Sequence, residues 1–410
     1  MDQLKQTKHK NSNIKYKVLI CLGVIIAFCI GNFSARFGLF LGPNAQDYSK
    51  AVKYSSEYSN YAGLFEAREI LMNNYNGDVE DNTLLDGAIK GMAASLKDPY
   101  TLYMTEEEYK KFNLSNSGLR VGIGVTITVQ DDKVTIINIE KGNPADKANL
   151  KVGDVIEKID GIDVEGSTNK AISLISKGDS NKTVLTILRD GEVFDAEVKK
   201  EEIKTEAVYF EKIEDNIGYI QLKNFNEGSS TEFINALTDL INNGVTGVII
   251  DLRDNGGGFL TEAEKIASQF IEEGKVITTL SNKFGKEKVS KSKGGIGKDV
   301  KVVLLVNGNT ASASEVVTGA LRDYSIATIV GTNTFGKGIA QAPFTLENTN
   351  GALKVTIDNF YTPNGENIHK VGIKPDYEVT LTENDVKNGY SRATDSQYLK
   401  AVEVIKEKVK

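Results

Sequence analysis

Apolar positions recur along this chain with three different spacings, and the places where the spacing changes divide it into segments. From Val18 to Leu41 most positions are apolar, and Arg36 is the only charge. From Tyr61 to about Phe112 the spacing is helical. LFEAREILMNNY places Leu64, Phe65, Ile70 and Leu71 near one face, TLLDGAIKGMAASL repeats the pattern, and Thr105 with Glu108 three residues on predicts a capping box for another helix. Nothing in this region carries chemistry, so it reads as a helical platform or a dimerisation arm.

Residues 118–200 change to a period of two. VTITV, KVTIINI, VIEKI, TVLTIL and VFDAEV predict short strands, Asp190 and Gly191 a hairpin turn, Lys158 to Gly161 another tight turn, and Asn169 to Ser176 the single amphipathic helix among them. From about Asn216 strands and helices alternate. NIGYIQLKNF is followed by a helix from Ser229 to Asn243 with a Ser229/Glu232 capping box, and VTGVIIDL by DNGGGF and a helix from Thr261 with a Thr261/Glu264 box. KVVLLVN, a helix from Ala311 to Tyr324, ATIVGT and a hairpin turning at Asn350 and Gly351 complete the series. VTGVIIDL and KVVLLVN are uninterrupted apolar strands, the mark of a sheet covered on both faces. The order predicts an α/β core with a largely parallel sheet. The lysine-rich stretch 281–299 reads as a solvated loop, and the last helix, from about Asp395, as a dimer or docking element.

Length and composition narrow the classes further. With 410 residues, about three domains are expected at roughly one per 150 residues, and 40% hydrophobic content can supply each with a core. The net charge is −7 although five lysines precede the first apolar run, so the body is more acidic still, which argues against a nucleic-acid partner. Both cysteines, Cys21 and Cys29, lie in that run, and the body therefore has no disulfide, thiolate metal site or cysteine nucleophile. The two histidines, His9 and His369, cannot build a two-histidine metal site in the body, and no metal or cofactor is expected.

A helix from Val18 to Leu41 would reach about 36 Å at ~1.5 Å per residue, enough to cross a hydrocarbon core of about 30 Å. The lysines before it orient residues 1–17 to the cytoplasm and send everything from residue 42 outward. A cleaved signal peptide is the rival, because Arg36 interrupts the run, although no clean small-x-small site follows. Either way the body is exported: anchored to the cell membrane by one span in residues 18–41, or secreted.

In a parallel sheet, ligands collect beyond the carboxyl ends of the strands, where loops meet helix N-termini. RDNGGG (253–258), NGNTASASE (307–315) and TNTFGKG (332–338) end three strands of one sheet, so their contents can converge. Ser312 sits where a buried strand meets an amphipathic helix. It is either an N-cap or a nucleophile, and the small neighbours Ala311 and Ala313 and the helix N-terminus suit the second role. With His369 the only histidine in the body, a lysine is the alternative base: Lys337 lies between Gly336 and Gly338, and the apolar Phe335 and Ile339 would promote a lowered pKa. Free N–H groups of the triple glycine offer one half of an oxyanion hole, and that of Ala313 the other. GTNTFGK satisfies most of a phosphate loop, but Gly338 stands where a hydroxyl must hold magnesium, and Pro343 blocks the following helix. In the β segment, GIGV (Gly122, Ile123, Gly124, Val125) predicts a loop whose N–H groups point at a terminal carboxylate, beside a groove that takes a peptide as an added strand.

The run GIGVTITVQDDKVTIINIEKGNPADKANLKVGDVIEKIDGIDV resembles the PDZ domain of bacterial proteases, which implies binding of C-terminal tails. NGNTASASEVVTGALRDY and TNTFGKGIAQ, preceded by DLRDNGGG and followed by YTPNGENIHKVGIKPD, resemble the C-terminal processing peptidases, also called tail-specific proteases. The likeness runs from about Leu64 to Asp376 and includes GAIKGM and KDPYTLYM in the family's order. It implies a serine endopeptidase in which Ser312 is the nucleophile, Lys337 the general base and Gln341 the residue that orients the lysine, with Gly257 or Gly258 and Ala313 as the oxyanion hole. Two departures stand out. Many relatives carry an arginine where this chain has Ser176 and Lys177, and Asn149 replaces a usual glycine, although asparagine tolerates left-handed φ.

The expected architecture is an α/β protease core at 205–380, an inserted PDZ-like small β module at 118–200, an N-terminal helical region at 55–115 and a C-terminal helical tail at 381–410. The expected function is cleavage of proteins near free apolar C-termini, with the membrane, and a second copy of the chain, as further partners. The rival reading is a catalytically silent, membrane-anchored scaffold that only binds peptides.

Overall fold

The computed structural model describes residues 45–176, 181–382, 385 and 391–410. The apolar run at 18–41 and its basic tail lie outside these, as does Lys177. Among the described residues no helix is long and apolar enough to cross a membrane. The chain divides into two compact units, residues 1–89 and 90–410.

Helix α1 (Ala45–Asn74) and the start of α2 (Asp81–Ala94) belong to the first unit, where the Arg68 guanidinium donates two hydrogen bonds to Asp81, at 2.5 and 2.7 Å. Leu64, Phe65, Ile70 and Leu71 are 44–54% exposed.

In the second unit, β1 (Leu102–Met104) and α3 (Glu106–Asn116) lead into the β module. The Thr105 box forms, with Thr105 N–H on Glu108 Oε2 at 2.8 Å and Glu108 N–H on Thr105 Oγ1 at 3.3 Å. The module contains β2 (Leu119–Gly122), β3 (Val125–Gln130), β4 (Lys133–Ile139), α4 (Pro144–Lys147), β5 (Val155–Ile159), β6 (Ile162–Asp163), α5 (Thr168–Ser176), β7 (Lys182–Arg189), β8 (Glu192–Lys199) and β9 (Glu201–Lys204). Its antiparallel sheet runs β3-β4-β5-β7-β8, with β6 on β5 and β2 paired to β9. Alternate residues of the strands (Val134, Ile136, Ile156, Leu185, Ile187) share one core with Ala171 and Ile175 of α5, which is why this stretch has a period of two. Asp190 (φ +51°) and Gly191 (φ +86°) take the two positive φ values of a type I′ hairpin, and Asn149 sits at φ +58°.

The remaining elements are β10 (Val208–Glu214), β11 (Ile217–Leu222), α6 (Ser229–Asn242), β12 (Gly247–Asp251), α7 (Leu260–Ser268), β13 (Val276–Asn282), β14 (Glu287–Lys291), β15 (Lys301–Val306), α8 (Ala313–Asp323), β16 (Ala327–Gly331), β17 (Ile339–Thr345), β18 (Ala352–Tyr361), β19 (Tyr377–Glu378) and α9 (Ser396–Lys408). The central sheet runs β10-β11-β12-β15-β16-β19 and is parallel from β11 onward. Val248, Ile250, Val302 and Leu304 join a core with α6, α7 and α8, while the alternate residues Ile249, Val303 and Leu305 meet Ala401, Val404 and Ile405 of α9. Both faces of β12 and β15 are therefore covered, as their continuous apolar runs require. In a second sheet β18 pairs with β1, β13 and β17, and β14 extends it beyond β13.

Three expectations are corrected. The stretch 281–299 is not simply a loop, because its first part is the β13–β14 hairpin, whose lysine-rich outer strand forms a charged sheet edge. The boxes at Ser229 and Thr261 do not form. Gly228 caps α6 while Glu232 accepts from Ala207 N–H at 2.9 Å, and α7 begins after Phe259 while Glu264 accepts from the Ser290 hydroxyl at 2.5 Å. The last helix is not a spare docking element either, since its apolar face closes the back of the central sheet.

Asp395 caps α9 by accepting from Gln397 and Tyr398 N–H, each at 3.0 Å, and its other oxygen accepts from Arg253 Nη1 at 2.7 Å. All three members of the Asp251–Arg253–Asp395 cluster are buried. Asp395→Ala should lower the free energy of unfolding by about 3 kcal/mol through the lost cap and the half-broken buried ion pair. An unshifted midpoint in urea denaturation would refute this.

Candidate active site

Strands β12, β15 and β16 run parallel, so their carboxyl ends and the loops that follow lie on one side of the sheet. The loops are tied together there. Asp254 accepts from Asn307 Nδ2 at 2.9 Å and from Asn309 Nδ2 at 2.8 Å; the Asn255 carbonyl accepts from Ala311 N–H at 3.1 Å and the Ser314 hydroxyl at 2.9 Å. Phe335 N–H donates to the Thr310 carbonyl at 3.0 Å, which joins the third loop. Arg253 anchors the first loop at its root: Nε and Nη2 donate to Asp251 at 2.9 and 2.6 Å, and Nη1 reaches the cap of α9.

Ser312 stands at the entry to α8 with φ +58° and ψ −115°, a backbone conformation that non-glycine residues seldom adopt. Such strain persists only where the surroundings impose it. Here they do so through Glu315, which is fully buried. Its Oε1 accepts from the Thr334 hydroxyl at 2.6 Å and from Gly336 N–H at 2.7 Å; its Oε2 accepts from Lys337 N–H at 2.8 Å and Ser312 N–H at 2.9 Å. One carboxylate thus holds the backbones of both Ser312 and Lys337. Sequence reasoning did not single out Glu315, although its signal was present as the S-x-x-E spacing of a capping box.

The glycine loop presses against the same turn. Gly257 has φ +101°, and a Cβ there would lie 2.8 Å from the Ala311 carbonyl and 2.9 Å from both Ala313 N and Ser312 Cβ. Its own N–H donates to Asn255 Oδ1 at 2.9 Å. Gly258 lines a cavity of about 480 Å³ together with Ala313, Ser312, Lys337 and Gln341. Apolar Leu280, Val316, Ile339 and Phe360 also line it, as do Lys288 and Lys354.

Burial pushes the Lys337 ammonium below the usual lysine value, and Lys354 adds to the effect, while Glu315 and Asp98 draw it part of the way back. Ile339 is buried as expected, but Phe335 is 53% exposed and cannot supply the apolar surroundings. Tyr100 faces the lysine instead, its ring centroid 4.8 Å from Nζ. Gln341 Nε2 donates to Thr356 Oγ1 at 3.5 Å. Asp98, between α2 and β1, accepts from the hydroxyls of Thr356 and Thr101, both at 2.7 Å, and from Tyr100 N–H at 3.0 Å. Burial alone would raise the Asp98 carboxyl, but these hydrogen bonds hold it below the usual carboxylate range. No spacing of nearby residues points to Asp98, Tyr100 or Thr356, because Asp98 and Tyr100 come to the site beside the pairing of β1 with β18, and Thr356 comes to Gln341 by the pairing of β18 with β17.

Gly122 to Val125 are not part of this cavity. They join β2 to β3 in the β module, where the carbonyls of Ile123 and Gly124 accept from Ala145 N–H at 2.8 Å and Glu140 N–H at 3.0 Å. Gly124 has φ +79°, and a Cβ there would lie 2.4 Å from Asn143 Cβ, so a side chain is excluded. β3 is an edge strand of its sheet.

Comparison with known proteins matches residues 216–379 to peptidase family S41, residues 121–199 to the PDZ domain, and residues 40–108 to the activating protease CtpB N-terminal domain. The chain is 34% identical over 416 residues to the "Probable CtpA-like serine protease" of Staphylococcus haemolyticus (strain JCSC1435), covering 98% of this chain and 82% of that one. It is 37% identical over 325 residues to the carboxy-terminal processing protease CtpA of Bacillus subtilis (strain 168), covering 79% and 70%. A solved structure of an S41-type protein from Bacteroides fragilis NCTC 9343 shares the fold, with 19% identity, 83% of this chain and 96% of that chain covered, and a TM-score of 0.56.

Glu315→Gln replaces a four-fold acceptor with a group that has one oxygen and two donors of its own. We expect a loss of about 2 kcal/mol in unfolding free energy, as for hydrogen bonds to a charged group, and faster amide hydrogen exchange at Gly336 and Lys337. Exchange at those two amides unchanged from wild type would show that the carboxylate does not hold the loop.

Proposed function

The chain belongs to peptidase family S41, among the carboxy-terminal processing serine proteases, and from that premise we propose that it is an exported endopeptidase that cuts proteins near their C-termini with a Ser312/Lys337 dyad. One observation carries the reading: Ser312 and Lys337 line one cavity, and a single Glu315 carboxylate holds the backbone of each. Ser312 attacks the scissile carbonyl as Lys337 takes its proton and passes it to the leaving amine. The N–H groups of Gly258 and Ala313 stabilise the oxyanion, and a water deprotonated by Lys337 resolves the acyl-enzyme. The lowered pKa of Lys337 supports this, since only the neutral amine can accept the proton. Gln341 orients the lysine.

For the substrate tail, the free edge of β3 supports addition of a peptide as one more strand, with its terminal carboxylate at the loop of Gly122, Ile123, Gly124 and Val125. Export is supported by the lysines that precede the apolar run 18–41. The formed cavity disfavours the silent-scaffold alternative.

Ser312→Ala and Lys337→Ala should each cost at least ~10³-fold in turnover, because nucleophile and base act as a unit, while circular dichroism shows an intact fold. More than a tenth of wild-type activity in either variant would sink the dyad. Activity of the wild type should rise with pH along a single limb that titrates Lys337 below the ordinary lysine value; a rate flat from about pH 5 to 9 contradicts a lysine base. A peptide ending in a free apolar carboxylate should be cut faster than its C-terminal amide, and equal rates would mean that the β module does not read the terminus.

A further inference from the structure

We infer that Asp98 is a positioning residue of the dyad: through Thr356 it fixes the amide of Gln341, and through Gln341 the working place of Lys337. The inference rests on the Ser312/Lys337 reading above. An ionised carboxylate only accepts hydrogen bonds. The single hydroxyl proton of Thr356 is therefore committed to Asp98 Oδ2 at 2.7 Å, beside that of Thr101 at the same distance. Thr356 Oγ1 can then only accept, and the group across from it is Gln341 Nε2 at 3.5 Å. With the amide nitrogen turned to Thr356, Oε1 is left as the acceptor for the lysine in the cavity that Gln341 and Lys337 both line. One carboxylate sets the direction of every donor in the row.

Two further observations support the row. Between the pairs Ala340/Asp358 and Gln341/Thr356 the register shifts by one residue, Ile357 of β18 being the extra one, so that Gln341 stands directly across from Thr356, and bulges beside active sites commonly re-aim a side chain in this way. The 98–101 loop is also clamped at both ends of the row. Tyr100 donates its N–H to Asp98 Oδ1 at 3.0 Å and faces Lys337 Nζ, while Thr356 N–H donates to Thr101 Oγ1 at 3.0 Å.

The test uses the full chain and an unstructured fluorogenic peptide ending in a free alanine carboxylate, with kcat and KM followed against pH. The charged groups facing Lys337 are Asp98 from the loop before β1, Glu315 from α8 and Lys354 from β18; Lys288 of β14 also lines the cavity, and His369 acts on Asp98. Asp98 draws the Lys337 pKa upward. Asp98→Asn should therefore move the rising limb to lower pH and, because the amide can reverse the row, lower the plateau of kcat about tenfold or more with KM nearly unchanged. Thr356→Val should lower the plateau by a similar factor with the limb nearly in place, and Thr356→Ser should restore it. Neither loss should add to that of Gln341→Ala.

A full plateau in Asp98→Asn and Thr356→Val would overturn the inference even if the limb moves, because Asp98 would then act through its charge alone. Additive losses with Gln341→Ala, or a Thr356→Ser variant as impaired as Thr356→Val, would overturn it as well. If Asp98→Asn does not fold, the two Thr356 variants decide. Ser312→Ala and Lys337→Ala are assayed in parallel: their activity would remove the dyad and the inference together, whereas their inactivity beside a full plateau in the Asp98 and Thr356 variants removes the inference alone.

Discussion

A carboxylate has room for about four hydrogen bonds, and Glu315 fills all four with donors from two separate loops. Burying that charge would be costly if any of its oxygens lacked partners. The donors in turn gain an acceptor, and the Gly336 amide and the Thr334 hydroxyl need one because their bonds to the carboxylate are buried. The result is mutual: the charge is tolerable only when both loops are in place, and each loop keeps its shape only while the charge is there. The backbones of the proposed nucleophile and base are thus tied to one buried group.

The same logic extends away from the site. Arg253 roots the glycine loop, and its buried guanidinium is balanced by Asp251 on one side and by the cap of α9 on the other. The helix nearest the C-terminus therefore restrains the loop that presents Gly258, even though it packs on the opposite face of the sheet from α8. Asp98 and Thr356 repeat the pattern on the lysine side. In each case a carboxylate that accepts several hydrogen bonds at once joins groups near it in sequence to a group from a distant segment.

The local parts of this arrangement were legible in the chain. Uninterrupted apolar runs identified β12 and β15, alternation identified the β module, and small residues around Ser312 together with glycines around Lys337 marked the two loops. Capping boxes show where such reading stops. The spacing of a hydroxyl residue and a glutamate three positions on occurs at Thr105, Ser229, Thr261 and Ser312; the box forms at Thr105, and Glu315 at the last makes the link from carboxylate to cap N–H. Glu232 instead takes Ala207 and Lys204, and Glu264 takes Ser290. A glutamate does what its nearest available donor permits, and that donor is brought by the fold.

By itself, then, the sequence determined the spacing of apolar residues, and with it the strands, the helices, their order and the ends of the strands where loops would gather. These depend on residues within a few positions of one another. Only the tertiary structure decided where the Gly257 N–H donates, why Phe335 does not shield Lys337 while Tyr100 faces it, and which carboxylates direct the donors around Ser312 and Gln341. Hydrogen bonds and burial are settled by whichever groups arrive from distant segments, and their partners here lie as far apart as Asp98 and Thr356 or Arg253 and Asp395.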